Sequence, residues 1–194
     1  MKKLVVATGN RHKTEEIRAM LGAGYAVSDL QSYPELPAVE ETGSTFLENA
    51  TLKAVEISQQ VAGLVLSDDS GLEVDALGGA PGVYSARYAG EDGNDAANNA
   101  KLLSELDGER CRTARFRCVM VLAEKGEVLA HFDGAVDGSI INQQQGTAGF
   151  GYDPLFVPDG HDQTFAQLGD EIKNGLSHRA RAMEKVVPWL MSHV

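Results

Sequence analysis

Two cysteines, one tryptophan and no long apolar run: the scarcities of this 194-residue chain exclude more than its abundances prove. With so little cysteine, a disulfide-framed scaffold is ruled out. Cys111 and Cys118 placed on one strand would lie roughly 23 Å apart on opposite faces, at ~3.3 Å per residue, and could not bridge. They also lack metal-site spacing, so two structural thiols in a reducing, cytoplasmic setting are expected. No stretch approaches the ~20 apolar residues of a membrane-spanning helix. The opening "MKKLVVATGN" starts like a signal peptide, but its apolar run stops at Ala7, short of the ~7–15 residues such a segment needs. Positive charge is scarce too: 17 Lys and Arg face 28 Asp and Glu, a formal charge of −11. A nucleic-acid binder is thereby disfavoured. A small anionic substrate is not, because a divalent cation or a local basic cluster can hold one inside an acidic protein.

Repeats, low-complexity tracts and linkers are also missing, so residues 1–194 are expected to form a single domain. A hydrophobic content of 43% suits an ordinary globular core. "KLVVAT" reads as a buried strand, "KTEEIRAMLG" as a helix stopped by Gly22, and "YAVSDL" as a second strand. "QSYPELPAVEETG" reads as a loop. "TFLENATLKAVEISQQVAG" carries a capping box, Thr45 with Glu48, and an apolar stripe of Phe46, Ala50, Ala54, Ile57 and Val61. "LVLSD" and "GLEVDAL" read as two short strands, with Asp68 and Asp69 closing the first. "DAANNAKLLSEL" is helical, and "ARFRCVMVLAEKGEVLAHFDGAVDGSI" is a long hairpin turning at Lys125 and Gly126. After a glycine-rich loop comes a strand, "LFVP", and then a last helix from "SHRARAMEKVV" that Pro188 kinks or ends. The sum is α/β with a mixed sheet.

Two helix starts carry the wrong charge. Helix N-termini favour acids, yet Arg11, His12 and Lys13 sit at one and His178 and Arg179 follow Ser177 at another. Cations there are stabilised if an anion binds, and an anion is what free N–H groups at a helix start attract. The spacing of a Walker phosphate loop is absent, so Thr8, Asn10 and Lys13 would be separate donors to phosphate. The acids supply the complement: Glu40 and Glu41 at a loop end, and Asp68 and Asp69. Hard oxygen donors without His or Cys partners suit Mg²⁺ on a phosphate substrate, although acids at element ends are also commonly just solvated. Asn49 and Lys53 share a helix face. In "GFGYD", Phe150 and Tyr152 with the amides between them could form a platform for a base, or could be core aromatics.

The blocks "ATGNRHKTEEI", "EETGSTFLENATLKA", "SDDSGLEVDALGGAPGVYSARYAG", "FGYDPLF" and "LSHRARA" together resemble the Ham1-like family of non-standard purine nucleoside triphosphate pyrophosphatases. The likeness runs in order over nearly the whole chain. It implies an elongated mixed sheet flanked by helices, two lobes with a central nucleotide-binding cleft, and a homodimer. The implied reaction is Mg²⁺-dependent hydrolysis of ITP, dITP or XTP to the monophosphate and pyrophosphate, cleansing the nucleotide pool. By position, Thr8, Gly9, Asn10, Arg11, His12, Lys13 and Lys53 would hold the triphosphate, with Arg87 near it. Glu41 and Asp69 would serve the metal, and Asp69 would be the general base. Ser70, Phe150, Gly151, Tyr152, Asp153, Lys173, His178 and Arg179 would contact the nucleotide. Ala148 stands where the family often has a second glycine, and the segment around Lys173 departs from the usual pattern. The resemblance implies that Mg²⁺ is what lets Asp68 and Asp69 stand side by side.

Other readings are separable. A phosphatase with an aspartyl nucleophile needs its two Asp residues two apart, and it releases inorganic phosphate. A binding module without turnover would tolerate neutral acids. A Maf-like pyrophosphatase acting on other modified nucleotides shares the reaction and differs in substrate.

Overall fold

The computed structural model describes residues 2–193. Six strands form one sheet in the order β2-β1-β3-β4-β5-β6, where β1 is Lys2–Val6, β2 Tyr25–Asp29, β3 Leu64–Val74, β4 Thr113–Glu124, β5 Glu127–Ile140 and β6 Phe156–Pro158. The helices are α1 (Arg11–Leu21), α2 (Phe46–Ser58), α3 (Asp95–Glu105), α4 (Phe165–Leu176) and α5 (His178–His193). The mixed α/β reading holds, since β1 pairs parallel with β2 and β3 while β5 pairs antiparallel with β6. Among the described residues no helix is long and apolar enough to cross a membrane.

The chain divides into two compact units. The first comprises Met1–Asp69, Cys118–Gly134 and Arg179–Val194; the second comprises Ser70–Arg117 and Ala135–His178. In the first unit β1 is apolar on both faces, as expected of a parallel strand covered twice. Leu4 and Val6 join Ile17 of α1 and Met183 and Val186 of α5 in one cluster, whereas Val5 joins Ile57 of α2 in another. In the second unit Leu72, Leu102, Phe116, Phe156 and Phe165 form the core, with Phe116 and Phe156 edge to face at 4.8 Å.

Several expectations are corrected. "LVLSD" and "GLEVDAL" are one strand, β3, so Asp68 and Asp69 lie mid-strand and buried rather than at a strand end. Cys111 precedes β4 and is exposed, while Cys118 is buried within it. Pro188 does not end the last helix, which continues to His193. Val61 lies beyond the end of α2 at Ser58. The hairpin turn is as read, with Lys125 and Gly126 both at positive φ (53° and 84°), the signature of a two-residue turn matched to strand twist. Helix α4 went unread, although Thr164 and Gln167 form a second capping box at its start. Gly169, at φ 80° and ψ 171°, breaks its period from within.

Candidate functional site

In the first unit, β1 delivers the chain to a turn in which the Thr8 hydroxyl accepts from the Asn10 amide at 3.1 Å. Asn10 then caps α1, its side-chain oxygen accepting from the Lys13 amide at 3.3 Å. The first turn of α1 contains no acid, so its N-terminal partial charge is left for a ligand to meet. Arg11 turns to Glu15 on the exposed side of the helix. Lys13 turns inward, its ammonium 2.5 Å from Asp68 Oδ1.

Strand alternation explains the adjacent aspartates. Neighbouring strand residues point to opposite faces, so each carboxylate has its own cations. Arg179 and Lys13 lie beside Asp68, and Lys53 beside Asp69, so protein cations offset the pair's charge whatever Asp69 holds in addition. Asp68 takes Arg179 Nε on Oδ2 at 3.0 Å, Arg179 NH2 on Oδ1 at 3.3 Å, the Lys13 ammonium, and the Cys118 thiol at 3.0 Å. Burial opposes its charge, but Arg179 and then Lys13 outweigh that, holding the carboxyl well below its usual range. Burial and the Asp68 charge push the Cys118 thiol up, so it stays protonated and donates. Arg179 is fully buried and also grips Glu16 at 2.5 Å. Three of its five N–H donors are thus committed to Asp68 and Glu16.

Asp69 faces the other way, toward α2. Lys53 donates to Asp69 Oδ1 at 3.1 Å, Glu41 Oε1 at 3.0 Å and the Asp68 carbonyl at 2.9 Å. Those three contacts match the three protons of an ammonium. Lys53 therefore ties together the two carboxylates expected to serve a metal. Burial favours its neutral form, yet the attraction of Asp69 and Glu41 prevails and its pKa is raised. Asp69 is raised in turn, burial outweighing the pull of Lys53 and Lys13. Its second oxygen, Oδ2, is buried with no hydrogen-bond partner among the described residues. Such an orphaned oxygen beside a second carboxylate fits a hard cation. Mg²⁺ typically takes one or two protein carboxylates and fills its remaining positions with water and phosphate oxygens. No group of three or more His, Cys, Asp or Glu able to cage a metal exists among the described residues.

The loop bearing Glu41 is fastened to the start of α2. The Gly43 amide donates to Asn49 Oδ1 at 2.7 Å, and Ser44 donates through its amide and hydroxyl to Glu48. A Cβ on Gly43 would lie 2.6 Å from Asn49 Oδ1 and 3.0 Å from the Asn49 amide. Gly43→Ala is therefore expected to cost about 1–3 kcal/mol by overpacking, read as a lowered urea midpoint at unchanged slope.

In the second unit, Asp153 Oδ2 accepts from the Phe150 amide at 2.9 Å and from the Lys173 ammonium at 2.6 Å, both Asp153 and Lys173 being buried. The same ammonium sits 4.5 Å from the Phe150 ring centroid. The Gly151 amide donates to Asp95 Oδ2 at 2.7 Å, and the Gly151 carbonyl accepts from Asn99 at 2.9 Å. This corrects the expectation that the amides of "GFGYD" face a ligand, because two of them are used internally. Tyr152 is buried, its hydroxyl donating to the Ser85 carbonyl. His178 opens α5, buried and stacked on Phe116 at 4.9 Å. Arg87 lies over the Tyr84 ring at 5.3 Å. Ser70 is half-buried in β3.

Against known proteins, a model of the Ham1 family matches residues 4–189. The chain belongs to the Ham1 family. It is 53% identical over 188 residues to a dITP/XTP pyrophosphatase of Exiguobacterium sibiricum, covering 95% of this chain and 94% of that one. It is 49% identical over 189 residues to a dITP/XTP pyrophosphatase of Bacillus licheniformis, covering 96% of each. The solved Ham1 protein of Staphylococcus aureus matches with a TM-score of 0.88 at 40% identity, covering 100% of both chains. A HAM1 protein from Coxiella burnetii matches at 0.89 and 37%, covering 99% and 100%.

For a Ham1-family chain, the residues read from sequence fall into two groups. Lys13, Glu41, Lys53, Asp69 and Arg179 are brought together in the first unit, with Asp68 as the hub between Lys13 and Arg179. Phe150, Asp153 and Lys173 are brought together in the second. Sequence reasoning missed Glu16, Cys118, Asp95 and Asn99 as partners of these groups. For the last two, the helical period of "DAANNAKLLSEL" places Asp95 and Asn99 on one face, four apart, and does not point to Gly151.

Proposed function

We propose that this chain hydrolyses deaminated-purine nucleoside triphosphates, ITP, dITP and XTP, to the nucleoside monophosphate and pyrophosphate, clearing them from the nucleotide pool. The observation that carries the reading is Lys53 held between Glu41 and Asp69, with a buried Asp69 oxygen left open, in a chain so close to proteins named for dITP and XTP. The start of α1, from Thr8 through Lys13, binds the triphosphate oxygens, and Lys13 exchanges part of its hold on Asp68 for phosphate. Glu41 and Asp69 would hold Mg²⁺, which would supply positive charge to offset that of the triphosphate and polarise the phosphorus under attack. Asp69 also stands as the base that takes the proton of the attacking water. Lys53 keeps the two carboxylates together through turnover. Arg179, fixed by Asp68 and Glu16, and His178 present donors to the six-position oxygen of hypoxanthine or xanthine, where adenine has an amino group. The Phe150–Asp153 loop lines the base, and Ser70, Arg87 and Lys173 contact the rest of the nucleotide. The working form is a cytoplasmic homodimer.

The test is a panel of nucleoside triphosphates with Mg²⁺, the products separated by chromatography. Pyrophosphate and monophosphate from ITP, dITP and XTP, with little from ATP or GTP, are expected. Release of inorganic phosphate would overturn the reaction, and preference for another modified nucleotide would favour the Maf-like reading.

Lys13 and Lys53 then differ in kind. Lys13→Ala is expected to raise KM about 10-fold or more, having lost a phosphate contact. Lys53→Met should act mainly on kcat, because it frees Glu41 and Asp69 to part. Equal effects on KM from both, in steady-state kinetics, would return Lys53 to a phosphate-binding role.

A further inference from the structure

The two peptide groups that flank the Gly151 Cα are both held by one helix. Asp95 and Asn99 are four apart on α3, hence on one face. Asp95 Oδ2 accepts from the Gly151 amide at 2.7 Å, and Asn99 Nδ2 donates to the Gly151 carbonyl at 2.9 Å. Neither side chain is occupied with its own helix, whose cap is Asn94, accepting from the Ala97 amide at 3.0 Å. Asn99 is 2% exposed, and its oxygen is buried with no partner among the described residues. A buried acceptor left without a partner is unfavourable, and it is tolerated here because turning the amide around would set that oxygen against the Gly151 carbonyl. Gly151 itself has φ 61°, a conformation in which a side chain is strained. The ends of the same loop are fastened differently. Asp153 Oδ2 collects the Phe150 amide and Lys173, and a Cβ on Gly149 would overlap that oxygen. The loop is therefore pinned at its ends by Asp153 and at its middle by α3.

We propose that Asp95 and Asn99 are positioning residues that fix the backbone on both sides of Gly151 and thereby set the selectivity of the Phe150–Asp153 loop for deaminated over ordinary purines. The inference rests on the function proposed above. A base is discriminated by small differences in the placement of the groups around it, so slack in one peptide is felt as lost selectivity before it is felt as lost chemistry. Asp95→Asn keeps an acceptor for the Gly151 amide. Asp95→Ala removes it, and Asn99→Asp keeps the shape while replacing the donor with a charge facing a carbonyl.

The experiment uses the full chain and begins with wild type. Its triphosphate panel, together with calorimetric titration of IMP against AMP, tests the function by itself: a wild type without preference for hypoxanthine overturns that reading and this one. Given the preference, Asp95→Ala and Asn99→Asp are expected to raise KM for ITP about 10-fold, leave kcat within about twofold, and narrow the ITP to ATP ratio of kcat/KM. The Gly151 amide should exchange with deuterium at least about 10-fold faster in Asp95→Ala, while Asp95→Asn stays within about twofold of wild type in all three readouts. Equal proportional losses on ITP and ATP, an unchanged ratio, or failure of Asp95→Asn to behave as wild type would overturn the inference. Should Asp95→Ala fold poorly by thermal melting, the isosteric Asn99→Asp carries the same readouts.

Discussion

Asp69→Asn is expected to lower kcat on ITP by about 100- to 10,000-fold, the range a positioned general base contributes, while the protein stays folded. The change swaps one oxygen for an amide at nearly constant volume in a buried strand, so packing is kept. What goes is the negative charge that faces Lys53 and, with it, the carboxylate's basicity. Stability should not fall with activity. Burial pushes the Asp69 carboxyl up, against the pull of Lys53 and Lys13, so the ionised form is disfavoured by folding. A carboxyl raised in the folded state takes stability away as pH rises from its unfolded value through its folded one. Removing that charge relieves this cost but also takes from buried Lys53 its strongest attraction, leaving Glu41 and the Asp68 carbonyl, so the neutral-pH Tm should change little. Steady-state kinetics and a thermal melt on the same preparation check both halves. Near-wild-type kcat would remove Asp69 from the chemistry, and a large drop in Tm would make it a structural residue.

The same residue marks what could and could not be read from the chain. Local signals were legible: the capping box of Thr45 and Glu48, the cations at the start of α1 and the Lys125–Gly126 turn each reside within a few residues, where backbone sterics and unpaired helix amides decide the outcome. Ser70 and Gly71 have weak strand preference and read as a break, yet β3 runs through them from Leu64 to Val74. The partner of each charge was not legible. Asp68 meets Arg179 across 111 positions, and Gly151 meets Asp95 across 56, distances at which no sequence period operates. Adjacent carboxylates therefore looked like one site when strand alternation makes them two. Asp68 holds Lys13 and Arg179, and Asp69 faces Lys53 and Glu41.

Arg179→Met is expected to destabilise the protein by about 3–5 kcal/mol, the cost of removing one partner from a buried ion pair. It takes two hydrogen bonds and a charge from Asp68, fully buried and also paired with Lys13, and breaks the contact between Arg179 and Glu16. Methionine fills much of the same volume, so the loss is electrostatic rather than a cavity. Asp68→Asn in the same background should cost less than the sum of the two single changes, because the second removes the charge the first had stranded. The pH dependence has a definite sign. Arg179 and Lys13 hold the Asp68 carboxyl well below its usual range in spite of burial. The stability it contributes is then fully present above the unfolded value, about 3.9, and is lost as pH falls from there through the lower folded value. The Tm gap between wild type and Asp68→Asn should be wide at pH 7 and close progressively below about pH 4. A gap that stayed constant down to pH 2 would mean that Asp68 contributes through shape and hydrogen bonding alone, and that Arg179 is held by Glu16.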